Sequence, residues 1–290
     1  MRDRASLTAE YMALFRALES SRPENSRLFR DPFAPLFLRS WRRWMNGIAR
    51  FDIGRQLAEE LLDRNAPGAR AAGIARTKWI DDEASKALET ARQLVLLGAG
   101  FDCRAYRLPA ARQVVTFELD RSETSLAKQA SLRNTLGSLP QQVRFVSIDF
   151  NRQSISEVLD QADFDRTRPA CFIWEGVTNY LNSDAVDSGL RQIRQSAPGS
   201  VLVFTYVHRK VLEEPKSFFG AEKLLARLES YGEPWTFGLY PEELTGYLAA
   251  QGLRLICDAG VADIWQRANR PSSEVHGYEF YRVASASVER

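Results

Sequence analysis

Short apolar runs, separated by segments of helical period, dominate the chain from residue 93 onward. The first two runs, QLVLL and VVTFELD, enclose a Gly-Ala-Gly turn and a helical stretch. Five further runs span residues 142–150, 170–176, 200–207, 254–260 and 277–286. Apolar runs of this length between turn residues are typical of buried strands, so the pattern predicts seven strands.

Helical segments alternate with these strands. Helical period or helix-start signals occur at 122–136, at the capping-box string 154–157, at 183–196 and at 241–251. Strand alternating with helix predicts an α/β fold with a mostly parallel, doubly wound sheet. Residues 261–276 show no obvious helix, so the last two strands are expected to form an antiparallel hairpin.

Two segments exceed what such a core requires. Residues 1–90 and 208–240 are expected to form an N-terminal helical cap and a lid inserted after the fifth strand, with the ligand-binding core spanning 91–290. Ligands of open α/β sheets bind at the carboxyl ends of the strands, where this insertion would cover them. The string NAPGARAAG at 65–73 is the best candidate for a joint between cap and core.

The composition is that of a globular protein without a strong overall field. The chain has 39 basic and 37 acidic residues, giving a net charge of +2. We therefore expect neither nucleic acid nor a membrane as partner, and the absence of a long apolar segment favours the cytoplasm. Three cysteines without metal-ligand spacing predict reduced thiols and no metal site.

The turn Gly98-Ala99-Gly100 is the most informative motif. Two glycines after a strand allow a ligand to approach the backbone, and Asp120 ends the next strand at ribose-hydroxyl reach. A dinucleotide fingerprint requires a third glycine where this chain has Cys103. The departure favours S-adenosylmethionine over NAD as the ligand, although an ordinary strand-to-helix turn remains the alternative.

Further carboxylates follow the predicted strands. Besides Asp120, the chain places Asp102, Asp149 and Glu175 at or near strand ends, where parallel strands bring them together. Asp149 and the backbone amide of Phe150 are expected to pair with adenine, or Asp149 is a helix N-cap. Glu175 follows an apolar run and needs a partner, for which the ammonium of the methionine moiety is suitable.

Several strings together resemble the leucine carboxyl methyltransferase family and its bacterial relatives. They are LTAEYMALFRALES, LFRDPFA, GIARTKWIDD, LLGAGFDCRAYRL, FELD, VSIDF and EGVTNYL, between residues 7 and 181. The resemblance implies the class I methyltransferase fold and S-adenosylmethionine as cofactor. It implies that Arg76 grips the cofactor carboxylate, Gly98 lies against the cofactor, Asp120 holds the ribose, Asp149 and Phe150 hold adenine, and Glu175 contacts the amino-acid end.

The acceptor is less determined by the sequence. A carboxylate is already ionised at neutral pH, whereas a phenol needs a base. The histidines, His208 and His276, both fall in predicted loops at the carboxyl edge of the sheet, and Tyr206 lies beside the first. His208 and Tyr206 are therefore candidate catalytic residues for a phenol acceptor.

The sequence thus predicts an O-methyltransferase acting on a carboxylate or hydroxyl of a small molecule, a carboxylic acid or a phenol. A protein C-terminal carboxyl methyltransferase and a non-catalytic nucleoside-binding module are the alternatives. The oligomeric state stays open.

The string FLRSWRRWMNGIARFDIGR permits two interpretations. Its arginines and tryptophans resemble a nucleic-acid surface. However, Leu38, Trp41, Met45 and Ile48 recur at the spacing of one helix face, which favours a cap helix packed on the core.

Overall fold

A mixed seven-stranded sheet forms the centre of the computed structural model, which describes residues 7–150 and 152–289. The strands are β1 Gln93–Leu97, β2 Val115–Asp120, β3 Val143–Ser147, β4 Ala170–Trp174, β5 Val201–Val207, β6 Leu253–Gly260 and β7 Tyr281–Val288. Their spatial order is β3-β2-β1-β4-β5-β7-β6. β7 runs antiparallel to both β5 and β6, and the other pairs are parallel. The predicted mostly parallel sheet with an antiparallel last strand is confirmed.

The helices surround this sheet. The α-helices are α1 Leu7–Ser20, α2 Ser40–Ile48, α3 Asp52–Asn65, α4 Ala69–Ala87, α5 Arg104–Arg107, α6 Ser122–Leu136, α7 Ile155–Asp160, α8 Ser183–Ile193, α9 Lys210–Glu213, α10 Ala221–Ser230, α11 Leu244–Ala250 and α12 Val261–Arg267. Short 3-10 helices span Ala34–Phe37, Ala111–Gln113, Thr178–Tyr180, Pro215–Ser217, Pro241–Glu243 and Ser272–Val275. In the described part of the chain, no helix combines the length and apolarity that crossing a bilayer requires.

The sheet separates two apolar layers. β1 and β4 are buried along their whole length, as expected of central strands covered on both faces. One face packs against the helices that precede β1, and Leu94 and Val203 belong to this layer. The other face packs against α7, α8 and α11, and Val95 and Leu202 belong to that layer. The N-terminal helices therefore share a core with the sheet, and a domain boundary near residue 90 remains a prediction.

The connection between β6 and β7 corrects the sequence-based expectation. Residues 261–276, which we expected to lack a helix, contain α12 and a 3-10 turn. Val261, Ile264 and Trp265 are buried in α12 at the spacing of one helix face. The apolar stripe is only two turns long, which is why the pattern was inconspicuous.

The proposed joint at residues 65–73 is also shorter than expected. α3 ends at Asn65 and α4 already begins at Ala69, so the non-helical turn covers only three residues. Gly73 lies within α4, where a Cβ atom would come 3.0 Å from the Phe15 ring and 3.2 Å from Met12. This glycine allows α1 and α4 to pack closely, and it does not mark a joint.

The arginine- and tryptophan-rich string at 37–55 runs through helix α2 into the first turn of α3. Leu38 and Met45 are buried in the core as predicted, but Trp41 and Trp44 are exposed. The apolar stripe therefore packs on only part of its length.

Candidate active site

A cavity of about 1300 Å³ opens where the carboxyl ends of the central strands meet the N-terminal helices and the segment after β5. Every residue that the sequence assigned to the cofactor lines this one cavity. These residues are Arg76, Gly98, Ala99, Gly100, Asp120, Asp149, Phe150 and Glu175. The structure therefore brings together side chains that are up to 99 residues apart in the sequence, as between Arg76 and Glu175.

The turn after β1 has a backbone that only glycine accommodates well. Gly98 has a φ of +71°, and its amide donates to the Leu119 carbonyl at 2.8 Å. The Ala99 amide donates to the same oxygen at 3.0 Å. A Cβ atom on Gly98 would lie 2.3 Å from the Cγ2 atom of Val177, closer than carbon atoms approach. The turn is thus held against β2 and leaves its outer surface free for a ligand.

Asp120 connects this turn to the end of β2. Its Oδ2 atom accepts a hydrogen bond from the Gly100 amide at 2.5 Å, and its Oδ1 atom accepts one from the Arg121 amide at 2.7 Å. Burial raises the pKa of Asp120, and the two amides oppose that rise. Each carboxylate oxygen retains a second lone pair, so both can still accept hydroxyl groups of a ribose.

Arg76 and Glu175 form a largely buried ion pair that lines the same cavity. Arg76 Nε donates to Glu175 Oε1 at 2.9 Å, and the guanidinium lies over the Tyr281 ring at 4.7 Å. Burial alone would lower the pKa of Arg76, but Tyr281 and Glu175 more than compensate and raise it. The guanidinium therefore stays charged at the cavity wall.

Arg104 is the principal partner of these acids, and the sequence did not identify it as a site residue. Its Nη1 atom donates to Glu175 Oε2 at 2.6 Å and also to Asp102, while Nε donates to Asp81 Oδ1 at 2.7 Å. Burial would raise the pKa of Glu175, but Arg104 and Arg76 lower it below its ordinary value. Burial would also raise the pKa of Asp102, but nearby positive charges, above all Arg104, lower it to about 2. Both acids therefore remain ionised.

This charge network continues into the N-terminal helices. Arg107 donates to both oxygens of Asp81, at 2.6 and 2.7 Å. In α1, Arg16 Nε donates to Asp31 at 2.9 Å and Nη2 donates to the Phe101 carbonyl at 2.5 Å. The network therefore joins α1 and α4 to the residues of the glycine turn.

Asp149 and Phe150 line the cavity beyond the end of β3. The strand ends at Ser147, earlier than the predicted residue 150. The Asp149 amide donates to Gln153 Oε1 at 2.9 Å. The N-cap of α7 is Ser154, whose side chain accepts from the Glu157 amide, so the predicted helix start is confirmed and Asp149 does not cap this helix.

The proposed catalytic residues Tyr206 and His208 are not among the residues that line the cavity. Tyr206 is fully buried on the sheet face opposite the N-terminal helices, where its hydroxyl donates to Asp258 at 3.0 Å. His208 Nδ1 accepts from the Lys210 amide at 3.2 Å, and burial lowers its pKa. His276 is exposed, pairs with Glu279 and does not line the cavity either. The structure thus gives no support to a catalytic role for these residues.

Further walls of the cavity come from helices α1 and α3, from the segment after β5 and from an aromatic group. The aromatic group comprises Tyr180, Trp235, Tyr278 and Tyr281, which line the cavity and contact one another. Thr8 Oγ1 in α1 donates to Glu233 Oε2 at 3.1 Å. The segment after β5 therefore contributes to the cavity and is hydrogen-bonded to the first helix, and its role as a lid stays a prediction.

Sequence comparison identifies a protein family and individual relatives for this chain. The model of the leucine carboxyl methyltransferase family matches residues 9–194, well over half of the chain. A Streptomyces coelicolor protein named "Putative S-adenosyl-L-methionine-dependent methyltransferase" is 32% identical over 86% of this chain and 83% of its own length. A protein of the same name from Mycobacteroides abscessus is 35% identical, over 59% of this chain and 56% of the relative.

Structural comparison gives the same fold. A crystal structure from Thermobifida fusca, described as that of a "putative methyltransferase", superimposes on this chain with a TM-score of 0.59 at 18% sequence identity. The match covers 94% of this chain and 97% of the other. With the sheet order described above, this likeness identifies the class I methyltransferase fold. The family match over residues 9–194 and the S. coelicolor relative show that this chain belongs to the leucine carboxyl methyltransferase family.

Proposed function

We propose that this protein transfers the methyl group of S-adenosylmethionine to the carboxylate of a small molecule. Membership of a methyltransferase family makes S-adenosylmethionine the cofactor. When bound, it supplies an electrophilic methyl group on a sulfonium. The residues of this chain then have to hold the cofactor, align the acceptor and exclude water.

The cavity residues fit the cofactor in a defined direction. Asp120 offers acceptor sites to the ribose hydroxyls, and Asp149 with the Phe150 amide offers complementary groups to adenine. At the other end, both Nη atoms of Arg76 are without a hydrogen bond in the described part of the chain, because only Nε contacts Glu175. They are suited to the cofactor carboxylate. Glu175 is already paired with two arginines, so its main contribution is to fix Arg76.

The observation that supports a carboxylate acceptor is that the cavity wall offers tyrosine hydroxyl groups as hydrogen-bond donors but no histidine that could act as a base. Burial raises the pKa of Tyr180 to about 12 and also raises that of Tyr278, so both hydroxyls stay protonated near neutral pH. They can donate hydrogen bonds but cannot accept a proton. Both histidines of the chain lie outside the cavity lining. An ionised carboxylate needs only to be positioned, whereas a phenol would need a base.

A protein C-terminal carboxylate would have the same chemistry, and the family description favours it as the second candidate. A peptide that ends in leucine therefore belongs in every acceptor screen. A non-catalytic nucleoside-binding module would bind S-adenosylhomocysteine but would not consume S-adenosylmethionine.

The pH dependence of turnover tests the carboxylate proposal. We expect kcat to be flat between about pH 6 and 9, because Glu175 titrates below this range and Tyr180 above it. His208→Gln and His276→Gln should each preserve most of the turnover. A rise of kcat with an apparent pKa near that of histidine, abolished in one of the two variants, would indicate a phenol acceptor and contradict the proposal.

A further inference from the structure

The cavity is larger than one ligand requires. Small-molecule pockets usually enclose about 300–1000 Å³, and this cavity encloses about 1300 Å³. Apart from Arg76 in α4, the proposed cofactor residues lie on the sheet side, at or just beyond the ends of β1, β2, β3 and β4. The opposite side comes from the N-terminal helices and α10, so a second ligand has room there.

The wall on that opposite side is largely apolar. Its apolar side chains come from three helices, with Met12 and Phe15 in α1, Leu61 and Leu62 in α3, and Leu224 and Leu228 in α10. The ends of α3 and α10 are in contact, since Arg227 Nη1 donates to the Asn65 carbonyl at 3.3 Å. These side chains therefore belong to one continuous part of the cavity.

The two ends of the acceptor region have opposite character. Toward Arg76 lie the hydroxyl donors of the aromatic group, and toward α3 and α10 lie leucines. Resting on the proposed function, we infer that the acceptor is an amphipathic carboxylic acid whose apolar body lies between α3 and α10. Its carboxylate then points toward Tyr180 and Tyr281, beside the proposed amino-acid end of the cofactor site.

Exposed apolar residues at the cavity mouth support this assignment. Leu61 is 51% exposed and yet lines the cavity, and the same holds for Tyr231 at 47%. Large apolar side chains left in water at the rim of a cavity are typical of ligand-binding grooves. One turn earlier in α3, Leu57 is 58% exposed but is not part of the lining. The chain thus provides a matched control on the same helix.

Calorimetric titration of the protein saturated with S-adenosylhomocysteine tests the inference. Hexanoate, octanoate and decanoate serve as probes, below the concentrations at which they form micelles. We expect affinity to rise about fourfold per added methylene until the apolar wall is covered. Leu61→Ser should lower the affinity for decanoate by about fivefold and leave that for hexanoate nearly unchanged. Leu57→Ser should behave like the unmodified protein.

Three results would overturn the inference. The first is an affinity that does not depend on the chain length of the acid. The second is an equal loss of decanoate affinity in Leu57→Ser and Leu61→Ser. The third is a change in oligomeric state in both variants, which would identify the α3 face as a contact between copies of this chain. Methyl transfer is measured separately with the same acids. If the acids bind with the expected length dependence but no ester forms, the proposed function fails while the apolar binding site stands.

Discussion

Replacing Arg104 with methionine is expected to lower the free energy of unfolding by about 3–5 kcal/mol. Arg104 is only 2% exposed and carries the positive charge between Asp81, Asp102 and Glu175. Without it, these buried carboxylates lose their main counter-charge, and removal of one partner from a buried pair costs far more than the pair contributes. Urea unfolding of the variant and the unmodified protein gives the difference directly.

Arg64→Met is the matched control for this prediction. Arg64 pairs with Glu60 at 2.6 Å, but its side chain is 75% exposed. We expect a change within about 0.5 kcal/mol, since exposed ion pairs contribute little. Equal effects of the two substitutions would show that the charge network around Arg104 is not a structural centre of this protein.

Asp120→Ala is expected to weaken the binding of S-adenosylhomocysteine by about 1.5–3 kcal/mol, or roughly ten- to 150-fold. The substitution removes the proposed acceptors for the ribose and also the anchor of the Gly100 amide. Asp120→Asn should lose less, because its carbonyl oxygen can keep one of these bonds. Isothermal titration calorimetry measures both affinities.

The control for Asp120 is Asp82→Ala, which removes an exposed carboxylate paired with Lys78 and absent from the cavity lining. The affinity of the Asp82→Ala variant for S-adenosylhomocysteine should equal that of the unmodified protein. Unchanged affinity in a folded Asp120→Ala variant would remove Asp120 from the cofactor site.

The regular elements were predictable where local signals were strong. Helix α6 has the predicted bounds because it is followed by Gly137 at a φ of +77°, a conformation that ends helices. The 19-residue α4 was harder to recognise, since glycine and alanine at its start resemble a loop. Gly73 lies within this helix because it allows α4 to pack closely against α1, and such a tertiary contact is not visible in the local sequence.

The assembly of the proposed cofactor residues in one cavity was predictable from topology. Parallel strands bring their carboxyl ends to one edge, so residues after β1, β2, β3 and β4 meet there. The same reasoning misplaced Tyr206, because topology says where a strand ends but not which face a side chain occupies. Successive residues of β5 point to opposite faces, and Tyr206 points away from the cavity layer that contains Val207.

The network around Arg104 could not be read from the chain. Its partners Asp81 and Glu175 are 23 and 71 residues away, and nothing in the local pattern distinguishes Arg104 from a surface arginine. Burial creates the requirement for these pairs, and burial follows only from the assembled fold. The apolar wall of the cavity is hidden for the same reason, since its leucines come from helices that are distant in sequence.

The chemical form of the transferred methyl group tests the central claim most directly. The protein is incubated with S-adenosylmethionine labelled in the methyl group and with a panel of carboxylic acids, phenols and a leucine-terminated peptide, and the products are treated with mild alkali. A methyl ester releases labelled methanol under these conditions, whereas a methyl ether retains the label. We expect alkali-labile label on a small carboxylic acid; alkali-stable label on a phenol would contradict the proposed function.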